Sequence, residues 1–221
     1  MTANPPLEIL VATRNEGKVR ELHEALSSLP IKLRSLDEFP NILPVDEVGH
    51  TYEQNAAIKA LGYARQTGVC SLADDSGLEV DALGGKPGVL SARFVGEHAS
   101  DTERIEKLLK DLSQYADDNR AARFVCCMAL AGWETQEKSV ANGEPQLLTV
   151  AQEECDGVIA AVPRGINGFG FDPVFVPDGY EQTFGELPSE VKARISHRAL
   201  ALVRIRRFLS RWLGHDVDAS C

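Results

Sequence analysis

Short apolar runs alternate with amphipathic stretches along most of the chain. Residues 7–12 (LEILVA) form a branched apolar run that predicts a buried strand, followed by a polar loop, TRNEG. In KVRELHEALSSL, Val19, Leu22, Leu26 and Leu29 recur at helical spacing, and residues 31–36 (IKLRSL) alternate as a strand does. Strand, loop, helix, strand is the outline of an α/β unit. Residues 37–50 carry Pro40, Pro44 and Gly49 and read as a loop. Thr51 is placed to cap a helix running to about Gln66, with Gly68 as its stop signal. Residues 69–73 (VCSLA) predict a strand running into a turn at Asp74-Asp75-Ser76-Gly77. The stretch to Arg93 is rich in glycine and predicts irregular structure, and residues 101–113 predict an amphipathic helix. Residues 123–132 and 147–162 read as strands joined by a polar hairpin around Asn142-Gly143, a β-rich second lobe. A Gly-rich loop at 163–173 precedes a short strand at 174–176. From Ser189 to Leu213 the pattern is helical, with Val191, Ile195, Leu202 and Leu209 on one stripe, and the tail beyond predicts disorder. There is no internal repeat and no low-complexity segment.

The 221 residues suit one domain of two closely joined lobes, the first about 7–120 plus 174–213 and the second about 121–173. Hydrophobic residues at 43% and charged residues at 25% give an ordinary globular balance. No apolar run reaches the roughly 20 residues needed to span a bilayer, so no membrane partner is expected. The opening MTANPPLEILVAT lacks the basic and long apolar regions of a signal peptide. Five cysteines, an odd number with no C-x-x-C pair, read as buried small residues plus an exposed terminal thiol at Cys221, in a reducing compartment; the expected location is cytoplasmic. The net charge of −10 offers no long-range attraction to polymeric nucleic acid. A polyanionic ligand would need positive charge concentrated at one place, which makes lysines beside loops informative.

Five groups of residues could carry chemistry. Thr13-Arg14-Asn15-Glu16-Gly17-Lys18 lies between a strand and a helix, where free N–H groups and partial positive charge suit a phosphate. It is not a Walker A loop, and a polar turn with a solvated lysine would look the same. Asp74-Asp75-Ser76-Gly77 puts adjacent carboxylates at a strand end, suited to a hard cation or, more plainly, to an Asx turn. One aspartate would face the ligand while the other holds the turn. Asn55 and Lys59 share a helix face, with Glu53 and Gln54 beside them and Glu47 in the preceding loop; a solvated face gives the same pattern. Gly168-Phe169-Gly170-Phe171-Asp172-Pro173 offers close backbone approach and an aromatic surface to a flat ligand, or else two packing anchors. Lys192, Ser196, His197 and Arg198 gather N–H donors in an otherwise apolar helical segment, where a core histidine would serve as well.

Their order and spacing point further than each alone. The set ATRNEGK, E-V-G-x-T-Y with NAAIKA, ADDSGLEVDALGGKPGVLSARF, GFGFDPVF and ISHRALAL resembles the inosine/xanthosine triphosphate pyrophosphatase family from about Ile9 to Leu209. The resemblance implies a two-lobed α/β fold with a long central mixed β-sheet flanked by helices and an active-site cleft between lobes. It implies a homodimer that uses magnesium (Mg2+) and hydrolyses dITP, ITP and XTP between the α and β phosphates. Residue by residue, it implies that Thr13, Arg14, Asn15, Glu16, Gly17 and Lys18 bind phosphate, with Lys59 near it. Asp75 would be the catalytic carboxylate and, with Glu47, a metal ligand. Ser76 would touch substrate, and Phe169, Gly170, Phe171, Asp172, Lys192, His197 and Arg198 would complete the nucleotide pocket. One departure stands out: the family usually carries Glu directly before the Asn-Ala of the second helix, where this chain has Gln54, with Glu53 one place earlier. That loses a charge and, if the position helps hold the metal, weakens the hold on magnesium unless Glu53 compensates.

On this reading Asp75 takes a proton from the attacking water, and Lys18 and Lys59 stabilise the departing pyrophosphate. Donors from His197, Arg198 and the 167–172 backbone would favour a 6-oxo purine over adenine, with Arg198 reading O6 and Phe169 stacked on the ring. The competing expectations are a phosphatase releasing orthophosphate and a nucleotide-binding sensor with weakened metal use.

Overall fold

The computed structural model describes residues 6–96, 98–115, 119–133 and 143–214. Most of the expected hairpin around Asn142-Gly143, the tail beyond Gly214 and Cys221 lie outside the described residues. Among the described residues, seven strands form one mixed sheet in the order β2-β1-β3-β5-β6-β7, with β4 paired to β3. They are β1 (Leu7–Val11), β2 (Ile31–Ser35), β3 (Cys70–Val80), β4 (Lys86–Pro87), β5 (Ala121–Gly132), β6 (Gln146–Ile159) and β7 (Phe175–Pro177). The helices are α1 (Glu16–Leu26), α2 (Tyr52–Thr67), α3 (Asp101–Leu112), α4 (Ser189–Ile195) and α5 (His197–Trp212). β1 runs parallel to both β2 and β3, whereas β3–β4 and β6–β7 are antiparallel. The parallel strands are joined through α1 and α2, as the α/β outline requires.

By compactness the chain divides into two units. One unit comprises residues 1–75, 127–152 and 201–221, the other residues 76–126 and 153–200. The divisions fall inside β3, β5, β6 and α5 rather than in linkers. In the first unit, Ile9, Leu10 and Val11 of β1 are fully buried with Leu22 and Leu26 of α1 and Leu72 of β3. The core of the second gathers Leu78, Ile105, Leu108, Phe124, Phe171, Phe175 and Phe184. Its aromatic centre is close-packed, with Phe124 and Phe175 ring centroids 4.6 Å apart.

Local signals explain most of the boundaries. Thr51 caps α2 by accepting the Gln54 N–H, and Gly68 closes it in the left-handed region at φ 66°. Two expectations need correction. Asp74-Asp75-Ser76-Gly77 is not a turn: β3 continues straight through it to Val80. Neighbouring strands supply the backbone partners that outweigh the turn propensity of Asp and Gly. The helical stretch from Ser189 is also two helices, broken at Ser196, whose backbone is extended (ψ 151°). No helix among the described residues is long and apolar enough to cross a membrane. The four described cysteines are buried free thiols.

Candidate active site

In the first unit the candidate residues converge on the buried pair Asp74 and Asp75. Because β3 is extended there, the two side chains leave opposite faces of the strand. Asp74 takes the ammonium of Lys18 at 2.7 Å. Asp75 accepts a hydrogen bond from Asn55 Nδ2 at 3.1 Å and has Lys59 Nζ 3.6 Å from its Oδ1. Lys59 in turn donates to the Asp74 carbonyl at 2.6 Å and lies 3.3 Å from Glu47. Asn55, fully buried, also accepts the Gly49 N–H at 2.8 Å, so one side chain ties the loop before α2 to Asp75. The shared face of Asn55 and Lys59 is therefore turned inward and is not a solvated one.

The charges of this group set its chemistry. Burial is the largest influence on Asp75 and pushes its carboxyl up; Lys59 pulls it back, and Glu47 pushes it further. Burial opposes the charge of Lys59 as well, but Asp75, Asp74 and Glu47 together hold its ammonium above the ordinary range. Cys127 lies close enough to feel Glu53, Asp75 and Asp74. Burial first and those carboxylates second push its thiol up to about 12, which keeps it protonated and unreactive.

At the start of α1, Asn15 caps the helix by accepting the Lys18 N–H at 3.0 Å, and the Thr13 hydroxyl accepts the Asn15 N–H. Gly17 is buried, whereas Arg14, Asn15 and Glu16 are exposed. Lys18 is drawn onto Asp74 and is not a solvated lysine. Gln54 is exposed, and its side-chain oxygen accepts the His50 N–H at 2.8 Å. At this position the glutamine braces the turn into α2.

Whether this donor set suits a metal follows from its composition. No group of three or more His, Cys, Asp or Glu among the described residues is gathered to hold a cation by itself. Magnesium does not need one: it is commonly held by one or two carboxylates and completed by water and phosphate oxygens. Two ammonium groups here face three carboxylates, Asp74, Asp75 and Glu47. The group has no surplus positive charge to offer a triphosphate, and a divalent cation on its hard oxygen donors would supply it. The residues fit magnesium.

In the second unit the loop 168–172 sits beside two cations. Lys192 Nζ lies 4.6 Å from the centre of the Phe169 ring, and the Arg198 guanidinium 5.5 Å. Lys192 also pairs with Asp172 at 2.6 Å, and Asp172 accepts the Phe169 N–H at 2.8 Å. Arg198 donates to the Ser76 hydroxyl at 2.8 Å. His197 is buried and stacks on Phe124, with ring centroids 4.7 Å apart. The Phe171 ring packs into the apolar core, so any contact with a ligand would come from its backbone. One participant escaped sequence reasoning: Asp101, at the start of α3, accepts the Gly170 N–H at 2.6 Å. A partner 69 residues away leaves no local signal. Asn55 was visible beside Lys59, but its bond to Asp75 across 20 residues was not.

Over nearly its whole length the chain is similar to known proteins. A family model described as the Ham1 family matches residues 9–208. A protein of Bacillus anthracis named dITP/XTP pyrophosphatase is 42% identical over 205 residues, covering 93% of this chain and 97% of the relative. One of the same name from Desulforamulus reducens is 44% identical over 210 residues, covering 95% and 99%. A solved structure titled as a HAM1 protein from Coxiella burnetii superposes with a TM-score of 0.80 at 40% identity, covering 93% of this chain and 99% of that one.

Proposed function

This chain belongs to the Ham1 family, and from that premise we propose that it hydrolyses the non-canonical purine triphosphates dITP, ITP and XTP to monophosphate and pyrophosphate. The observation that carries the reading is Asp75: a buried carboxylate held by Asn55, beside Lys59, in a chain alike over its length to relatives named for this activity. With Asn55 on Oδ2 and Lys59 beside Oδ1 fixing its orientation, the Asp75 carboxylate takes the proton of the attacking water. Its raised pKa brings this base closer to neutral pH than an exposed aspartate. Lys18 and Lys59 exchange their carboxylate partners in part for the phosphates and stabilise the charge that develops on the leaving pyrophosphate. The N–H groups at the start of α1 hold a phosphate oxygen, with Thr13 and Asn15 fixing that turn. Asp75 and Glu47 would hold magnesium, which when bound neutralises phosphate charge and acidifies water.

For the base, Phe169 supplies the stacking surface and Arg198 the donor to O6. A guanidinium presents its N–H donors in a planar fork that suits a carbonyl oxygen such as O6. Adenine would set its N6 donor against that donor. A mismatched buried polar pair costs about 1–3 kcal/mol, roughly 5- to 150-fold in discrimination. Homodimeric assembly and a cytoplasmic location belong to the same proposal, the former checked by sedimentation.

The direct test is pyrophosphate release from ITP, XTP, GTP and ATP, with magnesium and with EDTA. Metal-dependent release strongest for ITP or XTP is the expected result. Orthophosphate as the product would place the chain with another phosphatase chemistry, and tight ITP binding without turnover would make it a sensor.

A further inference from the structure

Consecutive amides of the Phe169 loop are each held by a carboxylate, but from different places. Phe169 N–H donates to Asp172, three residues on in the same loop, whereas Gly170 N–H donates to Asp101 Oδ2. A bond within a loop fixes its shape; a bond to another element fixes where it stands. Asp101 is the first residue of α3, and that helix is well anchored. Ser100 and Glu103 form a reciprocal capping box at its start, and Ile105, Leu108 and Leu112 bury its apolar face. The second oxygen of Asp101 accepts from Arg104 at 2.6 Å, which locks the carboxylate in its orientation toward Gly170. Gly170 directly follows Phe169, whose ring lies against Lys192 and Arg198.

We infer that Asp101 is a positioning residue for base recognition: through the Gly170 N–H it holds the Phe169 ring in place for a purine to stack on. This deepens the proposed function and rests on its base-binding half. The bond to an ionised acceptor is about twice as strong as a neutral one, enough to hold a glycine-rich segment that glycine would otherwise leave free. The competing role is a plain one: an acidic residue in the first turn also favours the helix dipole, which would affect the stability of α3 and nothing in the loop.

Two readouts on the full chain separate these roles. In nucleotide-free protein, Asp101→Ala should speed amide exchange at Phe169 and Gly170 by about tenfold. With ITP and magnesium it should raise KM by about tenfold while kcat stays within about twofold. Asp101→Asn, whose amide oxygen still accepts the Gly170 N–H but carries no charge, should recover both in part. A lowered melting temperature with loop exchange unchanged marks a helix-cap role and overturns the inference, whatever the substrate is. Faster loop exchange with an unaltered KM shows an anchor that the base does not use, and overturns it too. A wild type that neither binds nor cleaves ITP defeats the proposed function and the base-binding role with it, while the exchange result still decides whether Asp101 anchors the loop.

Discussion

Asp75 and its immediate partners determine how the site responds to pH and substitution. Asp75→Asn should lower turnover by roughly 10²- to 10⁴-fold while the chain stays folded, measured by pyrophosphate release alongside circular dichroism. Near-normal turnover would remove Asp75 from the mechanism. Because burial holds this carboxyl above its ordinary 3.8, Asp75 in magnesium-free protein should titrate above the range of an exposed aspartate, read by carboxyl NMR, and added magnesium should lower that midpoint. The folded chain binds this proton more tightly than the unfolded chain. Wild-type stability relative to Asp75→Asn should therefore fall as pH rises from 3.8 through the raised value. The residue types at this centre were legible in sequence, since two adjacent aspartates beside an apolar run have few purposes. Their partners were not: the pairing of Lys18 with Asp74 and of Asn55 with Asp75 depends on strands and helices meeting across 56 and 20 residues.

At the scale of elements, α2 and the loop before it act together. Gly49 donates its N–H to Asn55, and a Cβ there would lie 2.7 Å from both the Asn55 side-chain oxygen and the Gln54 Cβ. Gly49→Ala should push Asn55 off Asp75 and cost about 10²-fold in kcat/KM, a displacement effect far larger than its effect on melting temperature. Equal activity would mean that the loop yields without moving Asn55. The boundaries of α2 were readable because Thr51 and Gly68 act locally, through a side-chain cap and a left-handed backbone. The course of β3 was misread because Asp, Ser and Gly favour turns in isolation, while sheet pairing decides the matter from outside the segment. The break at Ser196 hides under an apolar stripe that continues across it; a serine directly before His197 and Arg198 was the available signal.

For the whole molecule, a net charge of −10 and a cluster around Asp75 with more carboxylates than ammonium groups have one consequence for binding. Association with a triphosphate should not weaken as salt rises at fixed free magnesium, the reverse of a basic nucleotide binder. In EDTA, ITP affinity measured by calorimetry should fall by at least about 10²-fold, because the cation supplies the missing charge. An affinity indifferent to EDTA would contradict this account of the site. The sheet order was not legible in sequence, since which strands pair depends on contacts far apart in the chain. The α/β alternation that limits it was. Each of the four passages of the chain between the compact units occurs in the middle of a strand or helix, not in a linker. Neither unit can then be excised, swapped or fused elsewhere as a module, because every cut would leave a frayed element on both sides. Under the proposed function, the residues assigned to the phosphates and those assigned to the base therefore cannot be transplanted one without the other.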